Sequence, residues 1–168
     1  MSYERSAISR MVSAMAGALL VGGGLTACGA DTAETAAPQK RIEIIEAAAL
    51  TDQLAGADLD KPGASLGDLT VYSGGIHQDG RQIGHGGGAC QNVHIEGAEI
   101  TMQCVLTAQL ERGSLTMQAV WVQGTSPLDL AITGGTGAYR NATGIARFWE
   151  IGTPNERMRA EITLPAEE

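Results

Sequence analysis

Between Ile100 and Leu110 the chain alternates: Ile100, Met102, Cys104, Leu106, Ala108 and Leu110 share one parity, while Thr101, Gln103, Thr107 and Gln109 share the other. A period of two marks a strand with one buried face, so the apolar set points inward. Strand-forming runs bounded by turn residues recur along the chain at Arg41 to Ala49, Leu69 to Gln78, Arg81 to Ile95, Glu99 to Leu110, Ser114 to Gln123, Pro127 to Thr133, Thr143 to Ile151 and Glu156 to Leu164. Helix competes in the first of these, because Glu and Ala favour it. Asp79-Gly80 is a strong two-residue hairpin signal, and Glu96-Gly97-Ala98 and Glu111-Arg112-Gly113 read as further turns. Leu50 to Leu66 carries Gly56, Pro62 and Gly63 and reads as a long, mostly irregular connection. Eight antiparallel strands joined mostly by short turns favour a closed barrel, since closure removes the aggregation-prone edges of a sheet.

Register then assigns faces. With a turn centred on Gly97, Cys90 faces Cys104, Asn92 faces Met102 and His94 faces Ile100, which puts a thiol, an amide and an imidazole in the lumen. A slip of one residue would turn all three outward. Cys90 has two readings that exclude each other. Directly opposed antiparallel residues come close enough for a Cys90–Cys104 disulfide, and export exposes a protein to oxidation. Alternatively, Cys90 is a free thiol.

Composition narrows the class. The 43% hydrophobic content fills one core, and with aromatics at only 4% that core is mainly aliphatic. A net charge of −8 disfavours a nucleic-acid partner. His85 and His94 differ in parity and His77 lies near a hairpin end, so the three histidines are not expected to gather around a metal. The Gly86-Gly87-Gly88 run lacks the following helix that a phosphate loop requires.

The first 27 residues read as a leader, with Arg5 and Arg10 preceding an uncharged run from Met11 to Leu25. Leu25-Thr26-Ala27-Cys28-Gly29 resembles a bacterial lipobox, in which Cys28 receives a diacylglyceryl group and becomes the new N-terminus. The competing reading is an ordinary secretory signal with an incidental Cys28. Residues 28–40 form a small, polar tether, and residues 41–168 the barrel domain. The expected location is extracytoplasmic, held to the cell membrane by lipid on Cys28.

The glycine-rich corner from Leu130 to Gly144, with Thr133-Gly134-Gly135-Thr136-Gly137-Ala138-Tyr139-Arg140-Asn141-Ala142-Thr143-Gly144 at its centre, together with Leu66-Gly67-Asp68-Leu69-Thr70-Val71-Tyr72-Ser73 and Gly88-Ala89-Cys90, resembles the allene oxide cyclase and dirigent proteins. The resemblance spans roughly Ile42 to Leu164 and implies a small closed antiparallel barrel. It implies a cysteine at Cys90 beside the ligand and a carboxylate on the first strand, for which Glu43 and Glu46 are the candidates; they differ in parity, so one at most faces inward. It also implies a homo-oligomer, since family members often form trimers. Plant cyclases have a proline soon after that carboxylate and an aromatic-rich pocket. Here Ala47 to Gly56 contains no proline and aromatics are few, which argues against allene oxide itself as substrate.

The expected function is binding of a small apolar ligand in the lumen, with Tyr72, Asn92, His94, Met102 and Cys104 as lining residues and Glu43, Glu46 or Cys90 as the chemical group. A cofactor-free cyclisation or isomerisation needs little beyond a shaped cavity and a few polar groups where charge develops. The alternative is a non-catalytic interaction module of the cell envelope, because an eight-stranded barrel can be filled by its own side chains.

Overall fold

In a computed structural model that describes residues 39–60 and 62–166, the first strand does more than the alternation suggests. Strand β1 (Arg41–Ala57) pairs with the last strand over Arg41 to Ala48, then with β2 (Leu69–Gln78) from Ala48 to Ala57. This handover from one neighbour to the other closes the sheet, and it corrects the reading of Leu50 onward as irregular. Residues 50–57 are strand because β2 supplies hydrogen-bonding partners for them, and a bulge at Asp52 absorbs the extra residue. Among the described residues, the connection without strand pairing is confined to 58–60 and 62–68. Helix does not form in β1, since pairing with the last strand and then with β2 overrides propensity.

The remaining strands follow in chain order: β3 (Arg81–Glu96), β4 (Glu99–Leu110), β5 (Gly113–Val122), β6 (Leu128–Gly135), β7 (Thr143–Trp149) and β8 (Arg157–Leu164). Each is antiparallel to the next, and β8 returns to β1, so the architecture is an all-β, eight-stranded closed barrel. The leader, Cys28 and most of the tether lie outside the described residues.

The two ends of the barrel differ. At one end lie the starts of β1, β3, β5 and β7 and the ends of β2, β4, β6 and β8; here Leu110, Leu115, Ile132, Ala146, Ile162 and Leu164 pack solidly. The corner between β6 and β7 folds over this end through a short 3-10 turn (Gly137–Tyr139) that drives Tyr139 into the core, leaving it 2% exposed. Gly137 is required there: its φ is +58°, and a Cβ would run into the Arg112 carbonyl. Arg112 pairs with Glu43, donates a hydrogen bond to the Tyr139 hydroxyl at 3.1 Å, and lies over the Tyr139 ring at 5.3 Å. The opposite end is open.

Candidate functional site

Toward the open end the inward side chains leave a cavity of about 440 Å³. Met117, Leu130 and Phe148 are among its lining residues. One wall is thin where β3 carries Gly86, whose Cβ would meet neighbours only at ordinary contact distances; Gly74 on β2 lines the same wall, and a Cβ there would run into the Leu50 carbonyl of β1. Met102, Leu106 and Met158 supply flexible apolar surface, and Tyr72, Trp121 and Glu156 stand nearer the mouth. Trp121 is held in place by its indole N–H, which donates to the Thr125 carbonyl at 3.0 Å. A cavity of this size, mostly apolar with a few polar groups, has the dimensions of a small-molecule site, about 300–1,000 Å³.

Glu156 and Tyr72 are the ionisable groups of that cavity. Burial raises the Glu156 carboxyl above its ordinary value, and the Gly152 N–H, which donates to Oε2 at 2.8 Å, partly offsets this. Among the described residues no other hydrogen bond reaches this carboxyl. Burial likewise pushes the Tyr72 hydroxyl well up, and the negative charge of Glu156 adds to the shift. The Glu156 charge thus reaches Tyr72 across the cavity, and burial makes both groups hold their protons more tightly than they would in water.

The residues expected from the sequence fall into three places. Tyr72, Cys90 and Met102 line the cavity, and Cys104 is fully buried behind Cys90. Cys90 and Cys104 are joined in a disulfide, paired directly across β3 and β4, and a bridged Cys90 is not a nucleophile. Asn92 faces inward beside Met102 as expected and is 7% exposed, but it serves the wall. Its Nδ2 donates to the Ser65 carbonyl at 3.1 Å, and its backbone exchanges hydrogen bonds with Gly67 and Asp68, fastening residues 65–68 to β3.

His94 corrects the register argument. A bulge after Asn92 makes His94 pair with Thr101 instead of Ile100, so Val93 and His94 both turn outward; the His94 side chain is 64% exposed, 4.0 Å from Glu96. The strand-one carboxylates also separate. Glu43 points inward but at the closed end, where Arg112 and the Tyr139 hydroxyl hold it, the latter donating at 3.3 Å. Glu46 is on the outer surface with Arg159 at 3.2 Å. Neither borders the cavity. The carboxyl that does, Glu156, was read only as the first residue of the last strand; its signal would have been its place in the turn that ends at the mouth.

On the barrel's exterior, Asp52 at the β1 bulge accepts a hydrogen bond from the Ser73 hydroxyl at 3.0 Å and lies 3.4 Å from His85 Nε2. This is not a hydrolytic triad, because the carboxylate sits between Ser and His and the imidazole cannot take the serine proton.

Residues 47–164 match the allene oxide cyclase barrel-like domain. The chain belongs to that family. Among solved structures it is similar to a pyocyanin demethylase, with 31% identity and a TM-score of 0.68 over 71% of this chain and 99% of the other. The Diels–Alderase AbmU of Streptomyces koyangensis shares 17% identity over 75% of this chain and 64% of its own, with a TM-score of 0.58. The pterocarpan synthase dirigent protein PsPTS1 shares 15% identity over 76% of this chain and 97% of its own, also at 0.58. The last two likenesses establish the fold. No curated protein sequence matches the chain.

Proposed function

We propose that this family member binds a small, largely apolar ring compound in its lumen and moves a proton on it without a cofactor. The carrying observation is the pair of coupled groups, Glu156 and Tyr72, on one apolar cavity. Glu156 takes a proton from the bound compound, or returns one, at the point of reaction. Tyr72 donates a hydrogen bond to the oxygen or nitrogen where charge collects. Cavity walls of Met and aromatic side chains hold the reacting conformer and keep bulk water away. Isomerisations and proton-assisted cyclisations of ring compounds turn on such a transfer. The open lumen supports this reading over that of a non-catalytic envelope module, for which a filled barrel would serve.

Pyocyanin is the first compound to test, because the 31% identical relative is a demethylase of it. The measurement is its binding and turnover by the purified barrel domain, beside a Glu156→Gln variant. Turnover that falls about 10²–10⁴-fold in the variant supports the proposal. Turnover that survives the substitution removes Glu156 from the chemistry.

The reading includes a lipid on Cys28 that holds the barrel at the extracytoplasmic face of the membrane. Cell fractionation tests it, since a Cys28→Ser chain that still pellets with membranes contradicts it.

A further inference from the structure

Strand β1 has neighbours on both edges only as far as Ala49, whose N–H donates to the Glu156 carbonyl at 3.0 Å on the side where β8 runs. From Leu50 to Ala57 it is paired on one edge alone, by β2, and the Leu50 carbonyl lies against Gly74 there. Among the described residues nothing hydrogen-bonds to the backbone of its other edge. All of residues 50–57 are exposed, Leu54 to 70%. The bulge at Asp52 interrupts this edge once, and Gln53 to Ala57 continues in register with β2. Residues 150–156 form a turn, so no strand extends the track of β8 alongside. The result is roughly 27 Å of sheet edge with backbone groups open to an added strand.

The edge also borders the lumen. Leu50, Thr51 and Leu54 line one side of the cavity, and Ile151 and Gly152 line it from the facing turn. A strand laid along β1 would turn alternate side chains toward the apolar lumen and the others to solvent. Charge then selects the occupant. Leu50 to Asp60 and Glu150 to Glu156 contain Asp52, Asp58, Asp60, Glu150 and Glu156, and no Lys, Arg or His. A second copy of this chain would set its Asp52, Asp58 and Asp60 against the same three, which repel. A cationic strand meets complementary charge. We propose that the free edge of residues 50–57 binds an extended basic peptide by strand addition, with apolar side chains at every second position turned toward the lumen. This site stands whether or not the lumen carries out proton transfer.

The test is hydrogen–deuterium exchange of the full-length protein, read over residues 50–57, with three octapeptide probes. One is acetylated Lys-Val-Thr-Val-Lys-Val-Thr-Val amide, the second has Glu in place of Lys, and the third is the basic sequence with alternate backbone nitrogens methylated. The free-edge amides should exchange rapidly in the protein alone and slow at least about tenfold with the basic probe. The acidic and methylated probes should leave them unchanged. Thr51, two residues after Ala49, faces the same edge. Thr51→Pro should abolish the protection, since proline is tolerated on an open edge but removes the N–H that pairs there. A chain with Asp60→Lys and Glu150→Lys, altered only in exposed side chains, should lose at least about tenfold of the preference for the basic over the acidic probe. Equal action of the basic and methylated probes overturns strand addition, and an unchanged preference in the lysine variant overturns the basic class. Amides already protected without a probe overturn the free edge, and protection that rises with protein concentration alone assigns it to a second copy instead.

Discussion

Cys90 and Cys104 face each other across β3 and β4 with their Cα atoms 4.1 Å apart, and their bridge forms part of the lumen wall behind Tyr72. The link closes a loop of 14 residues in sequence separation, which corresponds to about 3 kcal/mol of restriction on the unfolded chain. A Cys90→Ala, Cys104→Ala double variant should lose roughly 2–4 kcal/mol in urea unfolding. The wild type in strong reductant should show a similar loss, and identical curves with and without reductant would show that the bridge contributes nothing.

Glu156 gives a pH signature. Its carboxyl is raised by burial, so the native state binds this proton more tightly than the unfolded chain does. That contribution is fully present below the ordinary glutamate range, about 4.3, and is lost as pH rises through the native-state value. Glu156→Gln removes the loss. Its melting temperature should therefore exceed that of the wild type at pH 8, and the gap should shrink on going to pH 4. A gap that grows toward acid would contradict the assignment.

Gly86 offers a way to fill the cavity without breaking the sheet. A Cβ there would meet Thr107 O at 3.4 Å and Ile76 Cδ1 at 3.6 Å, near ordinary contact distances, and longer side chains would extend into the lumen. In Gly86→Leu, ligand binding should weaken at least about tenfold while the far-ultraviolet circular dichroism stays that of the wild type. Native mass spectrometry of protein from its own host should likewise lose any retained small molecule. Undiminished binding would place the ligand outside the barrel.

The closed end should be separable from the site. Tyr139→Ala empties a buried position and should cost about 3–5 kcal/mol in unfolding experiments. Glu43→Gln, which weakens the contacts to Arg112 and Tyr139, should lower stability but leave turnover within about twofold of the wild type. A large loss of turnover in Glu43→Gln would return catalysis to the strand-one carboxylate.

Strand alternation and turn residues were enough to read the barrel, its eight strands and the Cys90–Cys104 register. They failed where pairing overrides local pattern. Residues 50–57 carry Asp52, Gln53 and Gly56 and look irregular, yet β2 holds them in the sheet because β1 must change partners to close the barrel. The bulge after Asn92 leaves no mark in the alternation, since Val93 and His94 are acceptable in either orientation, and it turned the imidazole out of the lumen. Glu43 and Glu46 carry the right chemistry, but parity states only which face a residue takes. Distance along the barrel axis decides whether an inward carboxyl reaches the cavity, and that depends on how the strands are staggered. Glu156, in the turn before β8, is brought to the mouth by that stagger alone.

The pairing of Arg41 with Leu164 carries a practical consequence. The polypeptide enters β1 and leaves β8 side by side, at the end opposite the mouth. A linker of a few residues could join these points, and the circle could be reopened at the Asp79-Gly80 turn on the same end. A dye, an affinity handle or a solid support attached there would stand a full barrel length from the entrance, leaving passage into the lumen unobstructed.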